Sequence, residues 1–288
     1  MTLPHPYRGR LAPSPTGYLH LGHAKTFWTA QQRARANQGA LILRIEDLDR
    51  ARSQPRFIGA ALEDLRWFGF HWQEGPDVGG PFAPYLQSQR LDYYRDALAK
   101  LKADGHIYPC RCSRQDVLRA LQAPHAAEEE PLYPGTCRRT TGISAIKSGS
   151  ADQTTSRINW RFRVPDGEAV GFTDNLFGPQ SFVAGRDFGD FVVWRHDDVP
   201  AYHLAVVVDD VQMGITEVVR GADLLSSTAR QLLLCRALGR SPPQFAHCEL
   251  VTDAAGHRLA KRNDALSLRT LRERGAVPSE LRDGWQPK

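Results

Sequence analysis

Residues 8–47, RGRLAPSPTGYLHLGHAKTFWTAQQRARANQGALILRIED, leave the chain few folding options. A short apolar run at 8–12 meets a turn rich in proline and glycine, and the stretch Ala24–Asn37 then has helical character and is closed by Gly39. The run ALILRIED at 40–47 reads as a second strand. Strand, turn, helix and strand in that order open a doubly wound parallel α/β sheet of the Rossmann type, in which ligands sit at the carboxyl ends of the strands. Within the turn, PSPTGYLHLGH carries two prolines, two glycines and two histidines immediately before the helix. Proline and glycine set backbone shape, but paired histidines are costly to pack and call for a chemical reason.

Further along, residues 54–70 and 87–105 read as amphipathic helices, the second with apolar positions at 91, 94, 98 and 101 and a glycine stop. The character changes at Tyr108: clustered cysteines, an acidic AAEEE run and a Thr/Ser/Gly-rich tract reach to about residue 156 without periodicity. The alternating segments 157–165 and 191–195 read as strands of a small β-rich insert. PAYHLAVVVDD at 200–210 is a continuous apolar run and reads as a buried parallel strand, followed by a helix over 224–238. The expected organisation is a nucleotide-binding catalytic domain whose first half spans 5–109, an insertion at 110–198, a second catalytic half at 199–240, and a C-terminal segment at 241–288 ending in a short helical stretch. No internal repeat is visible.

With 41% apolar and 24% charged residues over 288 positions, the chain can bury a core without staples. Its apolar runs are strand-sized, which excludes a helical membrane span. MTLPHPYRGR lacks the apolar stretch of a signal peptide, so a cytoplasmic protein is expected; a monomer is expected besides. In that reducing setting Cys110, Cys112 and Cys137, three of five cysteines within one short region, point to metal rather than disulfide. A net charge of +5 permits a polyanionic partner without requiring one.

Two stretches carry the chemistry. His20-Leu21-Gly22-His23 at a strand-to-helix turn places backbone N–H groups and a helix N-terminus where an anion binds, although a bare HxxH is more often a pair of ordinary turn histidines. RLAKR at 258–262 reads alone as a solvated loop, but paired with the first motif its Lys261 can stabilise charge on a departing pyrophosphate. For the cysteines, three thiolates and a fourth donor suit tetrahedral zinc, and on chemistry alone that donor is His106 or His125.

RLAPSPTGYLHLGH resembles the HIGH signature of class I aminoacyl-tRNA synthetases. RIEDLDRAR and VVVDDVQMGITEVVRGADLL resemble the glutamyl branch, and RLAKR stands where that family carries its KMSKS loop, with Ala260 in place of the usual serine and Arg262 at its close. The similarity runs over most of residues 8–270 and is weakest between 115 and 156. It implies a catalytic set of His20, His23 and Lys261, and ATP contacts from Gly17, His20, Gly22, His23 and Lys261, with Mg²⁺ accompanying the ATP. It implies glutamate contacts from Arg10, Leu11, Ala12, Pro13, Ser14, Glu46, Tyr202 and Arg220, with Arg10 facing a carboxylate, Glu46 the α-ammonium, and Tyr202 and Arg220 on the later strands. Bare alternatives stand beside these: Glu46 as a strand-end charge, Tyr202 as core packing.

The glutamyl-queuosine branch of that family carries C-x-C…Y-x-x-x-C, which implies Tyr133 beside Cys110, Cys112 and Cys137 around one structural Zn²⁺. That branch activates glutamate with ATP and esterifies it to queuosine in the anticodon loop of tRNA(Asp), and only 26 residues follow Arg262, too few for appended anticodon-binding domains. The expected partners are therefore ATP, L-glutamate and the queuosine-bearing anticodon stem-loop of tRNA(Asp), with no membrane. The rival expectations are a truncated enzyme charging a conventional tRNA acceptor end, a non-catalytic RNA-binding paralogue, and another HxGH nucleotidyltransferase.

Overall fold

The computed structural model describes residues 6–113, 115–116, 132–138, 158–250 and 267–285. RLAKR with Lys261, and His125, lie outside them.

β1 (Arg8–Leu11) runs parallel to β2 (Ala40–Leu43), in register from Arg8↔Ala40 to Leu11↔Leu43. Between them α1 (Leu21–Ala36) crosses over, beginning three residues earlier than helical character alone suggests, because His20 itself caps it. The helix ends where Gln38 takes φ 49° and the chain squeezes past Tyr7; a Cβ on Gly39 would stand 2.4 Å from the Tyr7 carbonyl oxygen. α2 (Pro55–Phe68) starts with proline in its first turn and stops at Gly69 in the left-handed region, φ 97°. The helix expected over 87–105 is a short 3₁₀ turn at Gln87–Gln89 followed by α3 (Leu91–Ala103).

β3 (Ile107–Cys110) and β4 (Asn159–Phe162) pair antiparallel, and β4 then pairs with β7 (Phe191–Trp194). Between β4 and β7 lies the hairpin of β5 (Ala169–Asp174) and β6 (Gly178–Val183). β8 (Glu217–Gly221) and β9 (Gln244–Cys248) are parallel neighbours, and β5 joins the far side of β9 at Asp174↔Phe245. On its other side β8 meets β1: Thr216 N–H donates to the Arg8 carbonyl at 2.9 Å and Arg10 Nη1 to the Val219 carbonyl at 2.7 Å. The four-stranded sheet thus runs β8, β9, β5 and β6 with one antiparallel edge, and the parallel pair β1–β2 lies with β1 against β8, a Rossmann-like α/β arrangement. The sheet continues across the boundary expected at residue 240, which falls between β8 and β9, and takes in residues 169–183, expected within the insertion.

One element departs from expectation. Residues 200–210 do not form a strand; Tyr202–Gln212 is a helix, α4, so Tyr202 stands on a helix rather than on a later strand. Every residue from Leu204 to Asp210 is buried, and a helix covered on all sides shows the same unbroken apolar run as an interior strand. α5 (Leu225–Leu238) packs beside it, as the sequence suggests, and α6 (Leu268–Glu273) and α7 (Pro278–Leu281) close the described chain. α3, α4, α5 and β7 share one apolar core, whereas β1, β2, α1 and α2 share another that Leu268 and Trp285 cap. No described helix is long and apolar enough to cross a membrane.

Candidate active site

A cavity of about 490 Å³ opens at the carboxyl ends of β1 and β8. Its wall brings together Arg10, Ala12, Pro13, Ser14, His20, Gly22, His23, Glu46, Tyr202 and Arg220. Two of the expected contacts fall elsewhere. Leu11 is wholly buried in the core beneath the site, as the inward-facing position of β1 requires, and Gly17 is half-buried outside the cavity wall.

The histidines are locked to the start of α1. Gly22 N–H donates to His20 Nδ1 at 3.2 Å and His20 N–H donates to His23 Nδ1 at 3.3 Å, a reciprocal cap built from two imidazoles whose ring centroids lie 3.8 Å apart. With both Nδ1 atoms accepting, a neutral ring carries its proton on Nε2, and each histidine offers a donor there. Gly22 is required by the cap itself, since a Cβ would stand 3.1 Å from the His20 ring. Ser267 bridges back to His20, and Leu268 N–H donates to the Leu19 carbonyl at 2.7 Å.

Two guanidinium groups form the opposite wall, both almost completely buried: Arg10 at 6% and Arg220 at 5% exposure. Arg10 spends Nη1 on Val219, but its Nε has no hydrogen-bond partner among the described residues, with the nearest carboxylate oxygen, on Asp210, at 3.9 Å. A buried donor left in this state is one that a ligand carboxylate would satisfy. Burial draws Arg220 below the ordinary arginine range, an effect that Tyr202 and Asp210 oppose and Arg10 reinforces. Tyr202 itself is 39% exposed and faces the cavity rather than the core.

Glu46 is held from beneath. Arg44, with 0% exposure, donates to Glu46 Oε1 at 3.0 Å and to Asp210 Oδ1 at 2.7 Å, and its Nε lies 3.6 Å from Asp209 Oδ2. Asp209 in turn accepts from Arg90 Nε at 2.7 Å, Gln87 at 2.8 Å and the Tyr94 hydroxyl at 2.9 Å. Burial pushes the Glu46 carboxyl above its usual range, while Arg44 and Arg10 pull it back. Sequence reasoning missed this network, although the charges interrupting apolar runs in LILRIED and VVVDDV were its signal. It also missed Thr26 and Phe27 on the cavity wall, one helical turn beyond His23.

A second constellation lies at the end of β3. The Sγ atoms of Cys110, Cys112 and Cys137 all lie within 4.8 Å of one another. The Tyr133 hydroxyl sits among them, 3.4 Å from Cys110 Sγ and 3.5 Å from Cys112 Sγ, while accepting from Cys137 N–H at 2.9 Å. Sulfurs bound to one tetrahedral zinc are about 3.8 Å apart, so these four atoms fit such an ion. His106 instead stacks on Phe162. Arg161 Nε donates to Cys110 Sγ at 3.2 Å, with its guanidinium over the Tyr133 ring at 4.0 Å, and so supplies positive charge to the cluster. Burial raises Tyr133 and pushes Cys112 up to about 11. Burial acts the same way on Cys137, but hydrogen bonds from Tyr133, the Arg111 N–H and the other two thiols bring it down to about 7.

Comparison with known proteins identifies the family of the chain. Residues 7–286 match the family described as tRNA synthetases class I (E and Q), catalytic domain. The chain is 53% identical to a glutamyl-Q tRNA(Asp) synthetase of Symbiobacterium thermophilum over 95% of its own length and 83% of that protein. It is 47% identical, with the same coverage, to one of Nitratidesulfovibrio vulgaris. A crystal structure of glutamate-tRNA synthetase from Elizabethkingia anophelis superposes with a TM-score of 0.78 at 32% identity, covering 90% of this chain and 53% of that one. The chain therefore spans about half the length of that solved structure.

Proposed function

The chain belongs to the tRNA synthetases of class I (E and Q), and from that premise we propose that it activates L-glutamate with ATP and transfers it to queuosine in the anticodon loop of tRNA(Asp). The observation that carries the first half is the cavity wall of two buried guanidinium groups, Arg10 and Arg220, opposite the histidine-capped start of α1. Such a site charges heavily for a ligand that lacks negative charge. Glutamine would leave a buried arginine poorly paired, a mismatch worth far more than a missing methylene. The carboxylate Glu46 suits the α-ammonium of the amino acid, and Tyr202 stands on the same wall beside Arg220.

ATP enters with Mg²⁺ over the start of α1, where backbone N–H groups, the helix dipole and the Nε2–H donors of His20 and His23 favour phosphate oxygens. An α-carboxylate oxygen of glutamate attacks the α-phosphorus, the bond to the bridging oxygen breaks, and pyrophosphate leaves with its electron pair, giving glutamyl-adenylate. Lys261 is the cation assigned to that leaving group. Of the described residues on either side of it in the sequence, Leu250 lines the cavity and Ser267 pairs with His20. A hydroxyl of the queuosine ring then attacks the acyl carbon and AMP departs; no protein nucleophile takes part. The names of the two relatives that match over 83% of their length support queuosine as the acceptor.

Cys110, Cys112, Tyr133 and Cys137 are the residues that would hold a zinc ion. The ion would supply a covalent fastening between the end of β3 and the segment bearing Tyr133 and Cys137, with no open coordination position for catalysis. Incubation with labelled glutamate, ATP and tRNA(Asp), with and without queuosine, tests the whole reading. Label on the modified base alone is expected. Label on the terminal adenosine would assign conventional charging, and the absence of any adenylate would assign a non-enzymatic role.

A further inference from the structure

Behind the cavity wall, one buried side chain from each of three adjacent strands forms a line: Asp174 on β5, His247 on β9 and Arg220 on β8. Arg220 and His247 are direct partners in the parallel ladder, so their side chains leave the same face of the sheet. Arg220 Nε donates to His247 Nε2 at 3.0 Å, and His247 Nδ1 lies 2.6 Å from Asp174 Oδ2. A guanidinium cannot accept a hydrogen bond, so Nε2 must carry the lone pair. The ring proton therefore resides on Nδ1 and is donated to Asp174. The aspartate is itself fixed, since Oδ1 accepts from the N–H groups of Leu176 at 3.0 Å and Phe177 at 2.9 Å.

Two more partners complete the grip on the guanidinium: Thr228 Oγ1 takes an Nη2 proton at 2.7 Å and Gln231 Oε1 an Nη1 proton at 2.9 Å. Three of the five N–H groups are thus consumed behind the wall, and one remains on each terminal nitrogen, on the cavity side where the Tyr202 hydroxyl also interacts with the guanidinium. That is the donor pair a carboxylate accepts in bidentate fashion. Nothing in the two-step chemistry uses Asp174 or His247.

We propose that the Asp174–His247 pair is a positioning device for amino-acid selection, holding Arg220 in the one orientation that presents a two-pronged fork to the substrate carboxylate. The inference rests on reading the cavity as a glutamate site. The logic is that of an aspartate fixing an imidazole tautomer behind a functional group, here with a guanidinium rather than a hydroxyl as the group so held. An imidazole protonated on both nitrogens would oppose Nε2–H to Nε–H and add repulsion to Arg220. Burial and Arg220 keep His247 below its usual range, against the opposing pull of Asp174 and the Leu224 backbone.

The test is glutamate-dependent ATP–pyrophosphate exchange by the full-length protein, with Michaelis constants for glutamate and ATP measured separately and thermal unfolding recorded for each variant. His247→Ala should raise the glutamate constant by about tenfold or more, the equivalent of one charge-assisted hydrogen bond, with the ATP constant within about twofold of wild type. His247→Gln should recover most of the loss, because its carboxamide can accept from Arg220 and donate to Asp174. Asp174→Asn should raise the glutamate constant as well, since an amide N–H facing Nδ1 shifts the ring proton to Nε2. If the alanine variant fails to fold, the glutamine and asparagine variants carry the comparison. A glutamate constant unchanged in Asp174→Asn and His247→Ala overturns the proposal, as does a parallel loss for both substrates that tracks unfolding. A wild-type protein that exchanges no pyrophosphate with glutamate overturns the underlying reading of the site instead.

Discussion

Arg10 and Arg220 illustrate what a single residue needs from its surroundings. Each is a charge removed from water, and each keeps donors in reserve on the cavity wall. Replacing either by leucine should raise the Michaelis constant for glutamate at least about a hundredfold, the scale of a bidentate charge-assisted pair, and leave ATP little affected; steady-state exchange kinetics separate the two. Lys261→Ala should act in the opposite sense, depressing the activation rate by more than it weakens glutamate binding, since its assigned partner forms only as pyrophosphate departs. Arg44 differs from all of these because every contact it makes is with the protein. Arg44→Met would leave Glu46, Asp209 and Asp210 facing one another with 0% exposure at the site of the lost charge, and should cost about 3–5 kcal/mol of stability in chemical denaturation. Arg10 and the two histidines, which share one continuous stretch, RLAPSPTGYLHLGH, and Glu46, which stands in the separate RIED, were legible because the family resemblance of those two stretches pointed to all four. Arg44 was not, because its role lies in carboxylates 165 and 166 positions away, as the Asp209 and Asp210 contacts show.

At the scale of elements, local signals were sufficient for α2, which couples an apolar stripe to a left-handed stop at Gly69, for α1, which starts at its His20 cap, and for α5, which stops at the left-handed Gly239. α4 was misread as a strand, and the cause is physical: a segment packed on every side has no polar face from which a period can be read. The cysteine cluster shows the reverse case. Spacing gave three thiols at once; local chemistry favoured a histidine as the fourth donor whereas the family resemblance implied Tyr133, and the packing of β3 against the 132–138 segment sets the Tyr133 hydroxyl among the sulfurs. Metal analysis should find one zinc per chain, lost in Cys112→Ser. Tyr133→Phe should keep the three thiolates but weaken zinc retention against a competing chelator by about 10–100-fold, whereas His106→Ala should leave it unchanged.

The whole molecule is joined across its sheet by Glu217. Arg33 on α1 grips it through Nε at 2.7 Å and Nη2 at 2.6 Å, Tyr7 donates to it at 2.6 Å and Asn175 at 2.6 Å, so that one buried carboxylate links the β1 end, α1, β8 and the β5–β6 turn. Burial alone would raise its pKa, but these donors outweigh it and hold the carboxyl below its usual range. A group depressed on folding contributes stability that is complete above its unfolded value, near 4.5, and is lost as pH falls through the folded value. The midpoint of thermal unfolding should therefore drop steeply below about pH 4.5 in the wild type and less steeply in Glu217→Gln, whose stability at neutral pH should already be lower by about 3 kcal/mol. What the sequence by itself determined was the opening strand–helix–strand unit, the histidine-bearing turn and the candidate thiol ligands, because each is specified by residues close together along the chain. What only the tertiary structure decided was which charges face one another: the Arg44 carboxylates, the Glu217 clamp and the line from Asp174 through His247 to Arg220. Those partners come from strands and helices far apart in sequence, and the balance between desolvation and pairing that fixes their charge exists only once folding has excluded water from between them.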